Sequence, residues 1–136
     1  MFTSFFVRIN GKLIAFPFDE ILYITAKHNY CEVVTTKKKF LLYVSLSRFE
    51  EKLPENLFCR VHRSHIIAVQ KVSSFDHSLV EIQGQLLPIN KSGFEAICKH
   101  VLIVYGDFEN KLNKEIGGMD VEEYLNKTRK QKKDEQ

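Results

Sequence analysis

Residues 45–72, SLSRFEEKLPENLFCRVHRSHIIAVQKV, contain a change in hydrophobic spacing that decides how the chain folds. Leu46, Phe49 and Leu53 are spaced i, i+3 and i+7, which places them on one face of a helix. Residues 58–72 are instead rich in β-branched and aromatic side chains, which favour strands. A helix of about two turns is unstable by itself, so the pattern predicts that this helix packs against a sheet.

Two short helices are predicted, and each carries a sequence typical of a capping box. In this motif a Ser or Thr side chain bonds the backbone N–H three residues on, where a Glu or Gln side chain bonds back. Ser47 precedes Glu50 by three residues, and Ser92 precedes Glu95 by three. We therefore expect Ser47 and Ser92 to begin the two helices, the second of which ends near Cys98.

The rest of the chain, up to about residue 104, favours strands joined by tight turns. Asn10-Gly11 lies between apolar stretches, and this dipeptide suits a type I′ hairpin turn because both positions need positive φ. Residues 83–85, Gln-Gly-Gln, indicate a second hairpin, and the runs between 21 and 44 predict a three-stranded meander. The predicted fold class is therefore mostly β, with small sheets and short helices.

Residues 105–136 are predicted to form a helical, partly disordered C-terminal extension to a single domain at residues 1–104. Apolar side chains at helical spacing support the helix, at Phe108, Leu112, Ile116 and Met119. Glycines at 117 and 118 interrupt this stripe, and the last ten residues are almost wholly polar, which favours fraying. The stripe either packs on the domain or contacts a partner chain.

The composition is that of an ordinary globular protein. The chain has 136 residues, of which 44% are hydrophobic and 27% charged, with a net charge of +3. The longest apolar runs are about five residues, too short to cross a bilayer, and the opening MFTSFFVRING lacks the features of a signal peptide. We therefore expect a cytoplasmic protein without a membrane partner. Three cysteines without a close pair predict neither a disulfide framework nor a metal knuckle.

Three polar junctions interrupt the predicted strands. They are Lys-His-Asn-Tyr at 27–30, His-Arg-Ser-His at 62–65 and Asn-Lys-Ser at 90–92. Arg60 adds a further cation to the second junction, and no acidic residue lies between positions 60 and 65. Loops that carry Arg, Lys and His without an acid suit an anionic ligand, so the three junctions together suggest contact with one polyanion.

The histidines of the second junction allow two other interpretations. A metal site needs three or four ligands, of which His62 and His65 give at most two, and Cys59 is the one nearby Asp, Glu or Cys that could add to them. A nucleophilic site would use Cys59 or Ser64 with a histidine, but no orienting acid and no glycine-rich oxyanion segment is evident. We therefore expect no catalysis, no cofactor and no small-molecule substrate.

Three consecutive lysines occupy positions 37–39. A short run of like charge is most simply a solvated turn between two strands. The run is equally compatible with phosphate contacts, and the sequence does not decide between the two roles.

Three pieces of the sequence resemble the LytTR (LytR/AlgR-type) DNA-binding domain of bacterial transcription regulators. They are DEILYITAKHNY at 19–30, the quoted stretch at 45–72, and LLPINKSGFEAI at 86–97. The middle piece is the most specific, because a short helix and Leu-Pro are followed by Phe-x-Arg-Val-His-Arg-Ser. The resemblance covers residues 5–104.

The resemblance implies an elongated fold of small β-sheets and short helices. It implies a transcription regulator that binds double-stranded promoter DNA sequence-specifically, with loops in successive major grooves rather than with a recognition helix. Such proteins typically bind paired direct repeats, so a homodimer is expected on DNA. Carried over by position, the DNA-binding residues are Lys27, His28, Asn29 and Tyr30 in the first loop, His62, Arg63 and Ser64 in the second, and Asn90 and Lys91 in the third.

Some positions depart from the family pattern. Asn90-Lys91 stands where Ser-Arg is common, which keeps a cation but loses the two-pronged guanidinium. Ala68 stands where the family often has Asn, and His65 where it often has an aromatic residue. The departures at Ala68 and Asn90, with the modest net charge and the apolar stripe of the tail, support an alternative, a protein-interaction module of the same fold with weak or lost DNA binding. Since few residues precede the first predicted strand, we expect a stand-alone form without a receiver domain.

Overall fold

The computed structural model describes residues 1–106 and 111–134. This part of the chain forms ten strands and four α-helices, in two units at residues 1–102 and 103–136. The strands are β1 Ser4–Ile9, β2 Lys12–Pro17, β3 Ile21–Ala26, β4 Cys31–Thr35, β5 Lys39–Leu42, β6 Phe58–His62, β7 His65–Ala68, β8 Val72–Phe75, β9 Leu79–Ile82 and β10 Gln85–Pro88. The helices are α1 Leu46–Lys52, α2 Lys91–Cys98, α3 Lys111–Ile116 and α4 Val121–Asp134. The predicted mostly β fold is confirmed.

Both predicted hairpins are present. The turn between β1 and β2 is Asn10-Gly11, with φ of 51° at Asn10 and 77° at Gly11. The turn between β9 and β10 is Gln83-Gly84, with φ of 48° and 77°. Positive φ at both central residues matches the right-handed twist of the paired strands, which is why such short turns close these hairpins.

A five-stranded antiparallel sheet lies at the centre of the domain, in the order β5-β4-β3-β7-β6. The predicted meander forms one half of it, and β7 and β6 add to the other side of β3. All four residues from 21 to 24 in β3 are buried, on both faces of the sheet. A strand without an exposed face in this segment indicates that both sides of the sheet are covered.

Two hydrophobic cores cover the two faces of this sheet. On one face the β1–β2 hairpin and α1 pack on the sheet, with Phe16, Phe49 and Ile24 in the same core. On the other face the three-stranded sheet β10-β9-β8 and α2 form a second core that includes Val61 and Ile97. The central sheet is therefore packed on both faces, and it forms a rigid support for the loops at its ends.

Both short helices begin at residues other than those that the capping-box pattern predicted. Ser45 Oγ caps α1 and Asn90 Oδ1 caps α2, each accepting a hydrogen bond from the backbone N–H three residues on, at 3.1 and 2.8 Å. The predicted caps at Ser47 and Ser92 are therefore wrong. A cap needs extended backbone, and the tertiary fold places that conformation at Ser45 and Asn90.

Residues 103–136 form the second unit. Helices α3 and α4 are separated at Gly117-Gly118, as predicted, and Asp120 Oδ1 caps α4 by accepting a hydrogen bond from Glu123 N at 2.8 Å. The predicted stripe residue Phe108 lies outside the described residues. Three apolar side chains on α4 are exposed, Val121, Tyr124 and Leu125. No helix in the described ranges combines the length and the apolar character that a membrane span requires.

Candidate nucleic-acid interface

The first and second polar loops meet at one end of the central sheet. The first loop follows β3, and the second precedes β7, which is the antiparallel neighbour of β3. Ala26 N donates a hydrogen bond to Ser64 O at 2.8 Å, directly beyond the last pair of the ladder, Thr25 with His65. The two loops are therefore joined by a backbone bond.

The third loop lies at the same end of the central sheet, where it contacts β6. Asn90 N donates a hydrogen bond to Val61 O at 3.2 Å, one residue before the second loop begins. The first turn of α2 lies so close to β6 that a Cβ atom at Gly93 would fall 1.9 Å from Val61 O. Only glycine permits this approach, which brings the start of α2 and Lys91 to the second loop.

The first loop presents three exposed side chains, Lys27, His28 and Asn29. Lys27 N donates to Tyr30 O at 2.9 Å, which closes the loop between β3 and β4. The partly buried ring of Tyr30 contacts the ring of Tyr43 edge-on, with centroids 6.1 Å apart. Tyr43 is 83% exposed beside the loop, and sequence reasoning missed it because a tyrosine inside an apolar run resembles a core residue.

The second loop is a tight turn with Arg63 and Ser64 between the paired residues His62 and His65. Ser64 N donates to His62 Nδ1 at 3.2 Å, so this imidazole is used in part to hold the turn. Arg63 is exposed, and within the described ranges its guanidinium makes no hydrogen bond or ion pair. The turn therefore presents one cationic side chain to solvent while its neighbours support it.

Arg60 does not add a further cation to this loop. The sequence pattern grouped Arg60 with the loop because no acid lies nearby in the chain. In the structure Arg60 Nη1 lies 2.7 Å from Glu50 Oε2, on α1. The charge of Arg60 is therefore neutralised by a residue that the local sequence did not indicate.

His65 is a buried structural residue. Its side chain is 9% exposed, and its Nδ1 lies 3.0 Å from Thr25 Oγ1. Burial, with smaller electrostatic contributions from the neighbouring His62 and Lys27, lowers the pKa of His65 to about 4. The imidazole is neutral at physiological pH and supports the loops by packing.

The third loop has one residue that caps a helix and one that faces solvent. Asn90 Oδ1 accepts hydrogen bonds from Gly93 N and from Ser92 Oγ, both at 2.8 Å. The carbonyl of the Asn90 side chain is therefore used within the protein. Lys91, the first residue of α2, is exposed beside it.

The lysines at 37–39 lie at the opposite end of the central sheet. The first loop precedes β4, and the lysines follow it. Lys37 Nζ lies 2.8 Å from Glu20 Oε1, and Lys39 Nζ lies 3.7 Å from Glu32 Oε1. The lysines lie far from the polar loops, and two of them have acidic neighbours. Both observations favour a solvated turn as the role of residues 37–39, rather than phosphate contacts beside the polar loops.

The residues that suggested a metal or thiol site have other surroundings. Cys31, Cys59 and Cys98 are free thiols, and burial raises the pKa of Cys59 to about 11, so that its reactive thiolate is scarce. In residues 1–106 and 111–134, no three His, Cys, Asp or Glu side chains are grouped as a metal ion requires. The backbone bonds between the three polar loops instead bring the cationic residues Lys27, Arg63 and Lys91 to one end of the central sheet.

Comparison with known proteins agrees with this architecture. Residues 11–99 match the family described as the LytTr DNA-binding domain. Among solved structures, the chain is similar to a LytTr DNA-binding domain from Bacillus cereus, with 25% identity and a TM-score of 0.60 over 74% of this chain and 97% of that one. Among curated proteins it is similar to the sensory transduction protein LytR of Staphylococcus epidermidis, 22% identical over 71 residues, and LytT of Bacillus anthracis, 24% identical over 90 residues.

The two curated relatives are longer than the shared part. The alignments cover 52% and 62% of this chain but only 28% and 37% of the relatives. Residues 11–99, which match the family, contain the strands that carry all three polar loops, and the family is described by DNA binding. Because the family match extends over more than half of the sequence, the chain belongs to the LytTr DNA-binding domain family.

Proposed function

We propose that this protein is a sequence-specific transcription regulator that binds promoter DNA through the three polar loops at one end of its central sheet. The observation that carries the proposal is the pair of backbone bonds, Ala26 N to Ser64 O and Asn90 N to Val61 O, which unites loops from distant parts of the chain. A row of polar, cationic loops on a firm sheet suits the major groove of a duplex.

The loop residues have different roles in this proposal. Arg63 is exposed, and the described residues give its guanidinium no partner, so it provides base contact, with guanine as the partner that best suits its two-pronged geometry. Lys27 and Lys91 flank it on the other two loops and contact phosphates or bases. His28, Asn29 and the ring of Tyr30 add polar contacts from the first loop.

A second set of contacts comes from His62, Ser64 and Asn90. Each of these side chains or its backbone already makes bonds within the protein, at distances between 2.8 and 3.2 Å. These bonds hold the three residues in place before DNA binds. Their remaining donors and acceptors then make hydrogen bonds to the DNA beside Arg63.

The proposal is tested by selecting bound duplexes from a random DNA pool and measuring affinity against salt. Arg63→Ala should cost about 1–3 kcal/mol of binding free energy and relax the preference at one base pair. Lys91→Ala should weaken binding to all duplexes about equally and lower the salt dependence by about one phosphate contact. Failure of the selection to enrich any sequence, or binding that does not change with salt, would refute sequence-specific recognition.

Dimerisation on paired direct repeats extends the same proposal. The second unit supports it, because Val121, Tyr124 and Leu125 leave an apolar stripe on α4 exposed at 71%, 42% and 43%. Footprinting on a selected duplex should then show two protected half-sites on one side of the DNA. A single protected half-site at saturating protein would contradict the dimer.

The exposed stripe on α4 also favours a second candidate, a protein-interaction module with weak or lost DNA binding. In that case the protein should form a stable complex with another regulator and pass through a DNA column without retention. One departure that suggested this candidate lies away from the loops: Ala68 is 5% exposed and ends β7 at the far end of the sheet.

A further inference from the structure

The guanidinium of Arg60 is directed at three acceptors from two different elements. Its Nη1 donates to Glu50 Oε2 at 2.7 Å, its Nη2 donates to Arg63 O at 2.6 Å, and its Nε donates to His62 O at 3.3 Å. One side chain therefore connects α1 with the backbone of the second loop. A planar guanidinium makes such a set of bonds with little loss of freedom, because its donors are fixed relative to one another.

The hydrogen bonds of the second loop show how its backbone is held. The carbonyls of His62 and Arg63 accept from Arg60, and the carbonyl of Ser64 accepts from Ala26 N. Ser64 N in turn donates to His62 Nδ1. With these groups bonded, the backbone of the turn has little freedom, and this fixes where the exposed Arg63 side chain begins.

Arg60 has the environment of a support and not of a DNA ligand. Its side chain is 28% exposed, and the carboxylate of Glu50 neutralises its charge. Three of its five N–H donors are already bonded, and a phosphate that approached the other two would lie close to the Glu50 carboxylate, which repels it. The exposed Arg63, by contrast, has no such partner among the described residues.

We propose that Arg60 is a positioning residue, which uses its bond to Glu50 to hold the Arg63 turn in the orientation that discriminates one base pair. This inference rests on the proposed DNA-binding function of the loops. It assigns specificity to a residue that does not itself contact DNA, acting through the carbonyl groups of His62 and Arg63.

The test measures base-pair discrimination, which is the ratio of the dissociation constants for a selected duplex and for one changed at a single base pair. The relevant base pair is the one at which Arg63→Ala loses its preference. Arg60→Met keeps most of the side-chain stem but removes all donors. Arg8→Met removes the same charge from the exposed end of β1 and serves as the matched control.

Arg60→Met should lose about tenfold or more of the discrimination at that base pair. The slope of log affinity against log salt should stay unchanged, because no phosphate contact is lost. The double variant Arg60→Met/Arg63→Ala should discriminate no less than Arg63→Ala alone, since both act through one side chain. Arg8→Met should retain full discrimination.

Full discrimination by a folded Arg60→Met protein would overturn the inference, as would a salt slope lowered by about one phosphate contact. If circular dichroism shows that Arg60→Met does not fold, Arg60→Lys decides instead. It keeps the charge, but its single nitrogen cannot reproduce the three-way contact, so the same loss is expected and full discrimination overturns the inference. If Arg63→Ala itself loses no preference, the proposed function fails rather than this inference.

Discussion

Replacing Gly93 with alanine tests whether close contact between α2 and β6 holds the third loop in place. An added Cβ would lie 1.9 Å from Val61 O and 2.7 Å from Val61 Cα. These are backbone atoms in a sheet that is packed on both faces, so they cannot move aside as a flexible side chain would. Non-bonded atoms of this kind prefer separations of about 3.5 Å, so α2 must shift from β6 by roughly 1.5 Å.

Gly93→Ala should destabilise the protein, although the higher helix propensity of alanine would by itself predict stabilisation. Without a clash, Gly→Ala in a helix stabilises a protein by up to about 1 kcal/mol. The shift of α2 instead breaks the bond from Asn90 N to Val61 O, worth about 1 kcal/mol, and disturbs packing around the fully buried Ile97, where overpacking costs about 1–3 kcal/mol. After the gain of about 1 kcal/mol from helix propensity is subtracted, we expect a net loss of about 1–3 kcal/mol for Gly93→Ala.

Urea denaturation followed by circular dichroism measures this difference. Glu95→Ala, at an exposed position of the same helix, is the control for any effect of changing a residue of α2. Its free energy of unfolding should stay within about 0.5 kcal/mol of the wild type. Under the proposed function, Gly93→Ala should also weaken DNA binding, because Lys91 moves relative to Arg63. A Gly93→Ala protein as stable as the wild type, or more stable, would refute the reasoning about this contact.

Three further predictions concern single side chains. Between pH 7 and pH 5 the protein should lose about 2 kcal/mol of stability through His65, because burial and nearby positive charge lower its folded-state pKa to about 4 and the unfolded chain therefore binds the proton first as the pH falls. Denaturation at both pH values should show that the His65→Phe variant lacks this loss. If the variant loses as much stability as the wild type between pH 7 and pH 5, His65 is not the group responsible. Asn90→Ala should lower the free energy of unfolding by about 1 kcal/mol through loss of the α2 cap while Asn90→Asp retains it, so equal stability of the two variants would count against the cap. Cys59 should resist alkylation at pH 8 in the folded protein, because burial raises its pKa to about 11; mass spectrometry should find Cys98 labelled first, and the reverse order would be inconsistent with this burial.

Features that depend on neighbouring residues were predictable from the sequence. Asn10-Gly11 closes a hairpin because both residues tolerate positive φ, whatever the rest of the chain does. The change of hydrophobic spacing after Leu53 likewise indicated where α1 gives way to strands. Helix starts were less predictable, because several polar residues near α2 can cap it, and the contact with β6 selected Asn90 over Ser92.

The candidate site was predictable in its residue types but not in its electrostatics. The junctions at 27–30, 62–65 and 90–92 are polar and cationic in the sequence alone. The partner of Arg60 was not evident, because Glu50 lies ten residues earlier, in a helix, and the ion pair depends on how α1 packs on the sheet.

The order of the residues by itself predicted the two hairpins, the three-stranded meander and the presence of α1 and α2, and it showed which junctions carry cations. Only the tertiary structure decided that those junctions share one end of the central sheet, that Arg60 supports the Arg63 turn, and that lysines 37–39 lie at the opposite end. Local conformation depends on adjacent residues, whereas the distance between remote loops is set by strand pairing and by packing in two cores, which no short stretch of sequence contains.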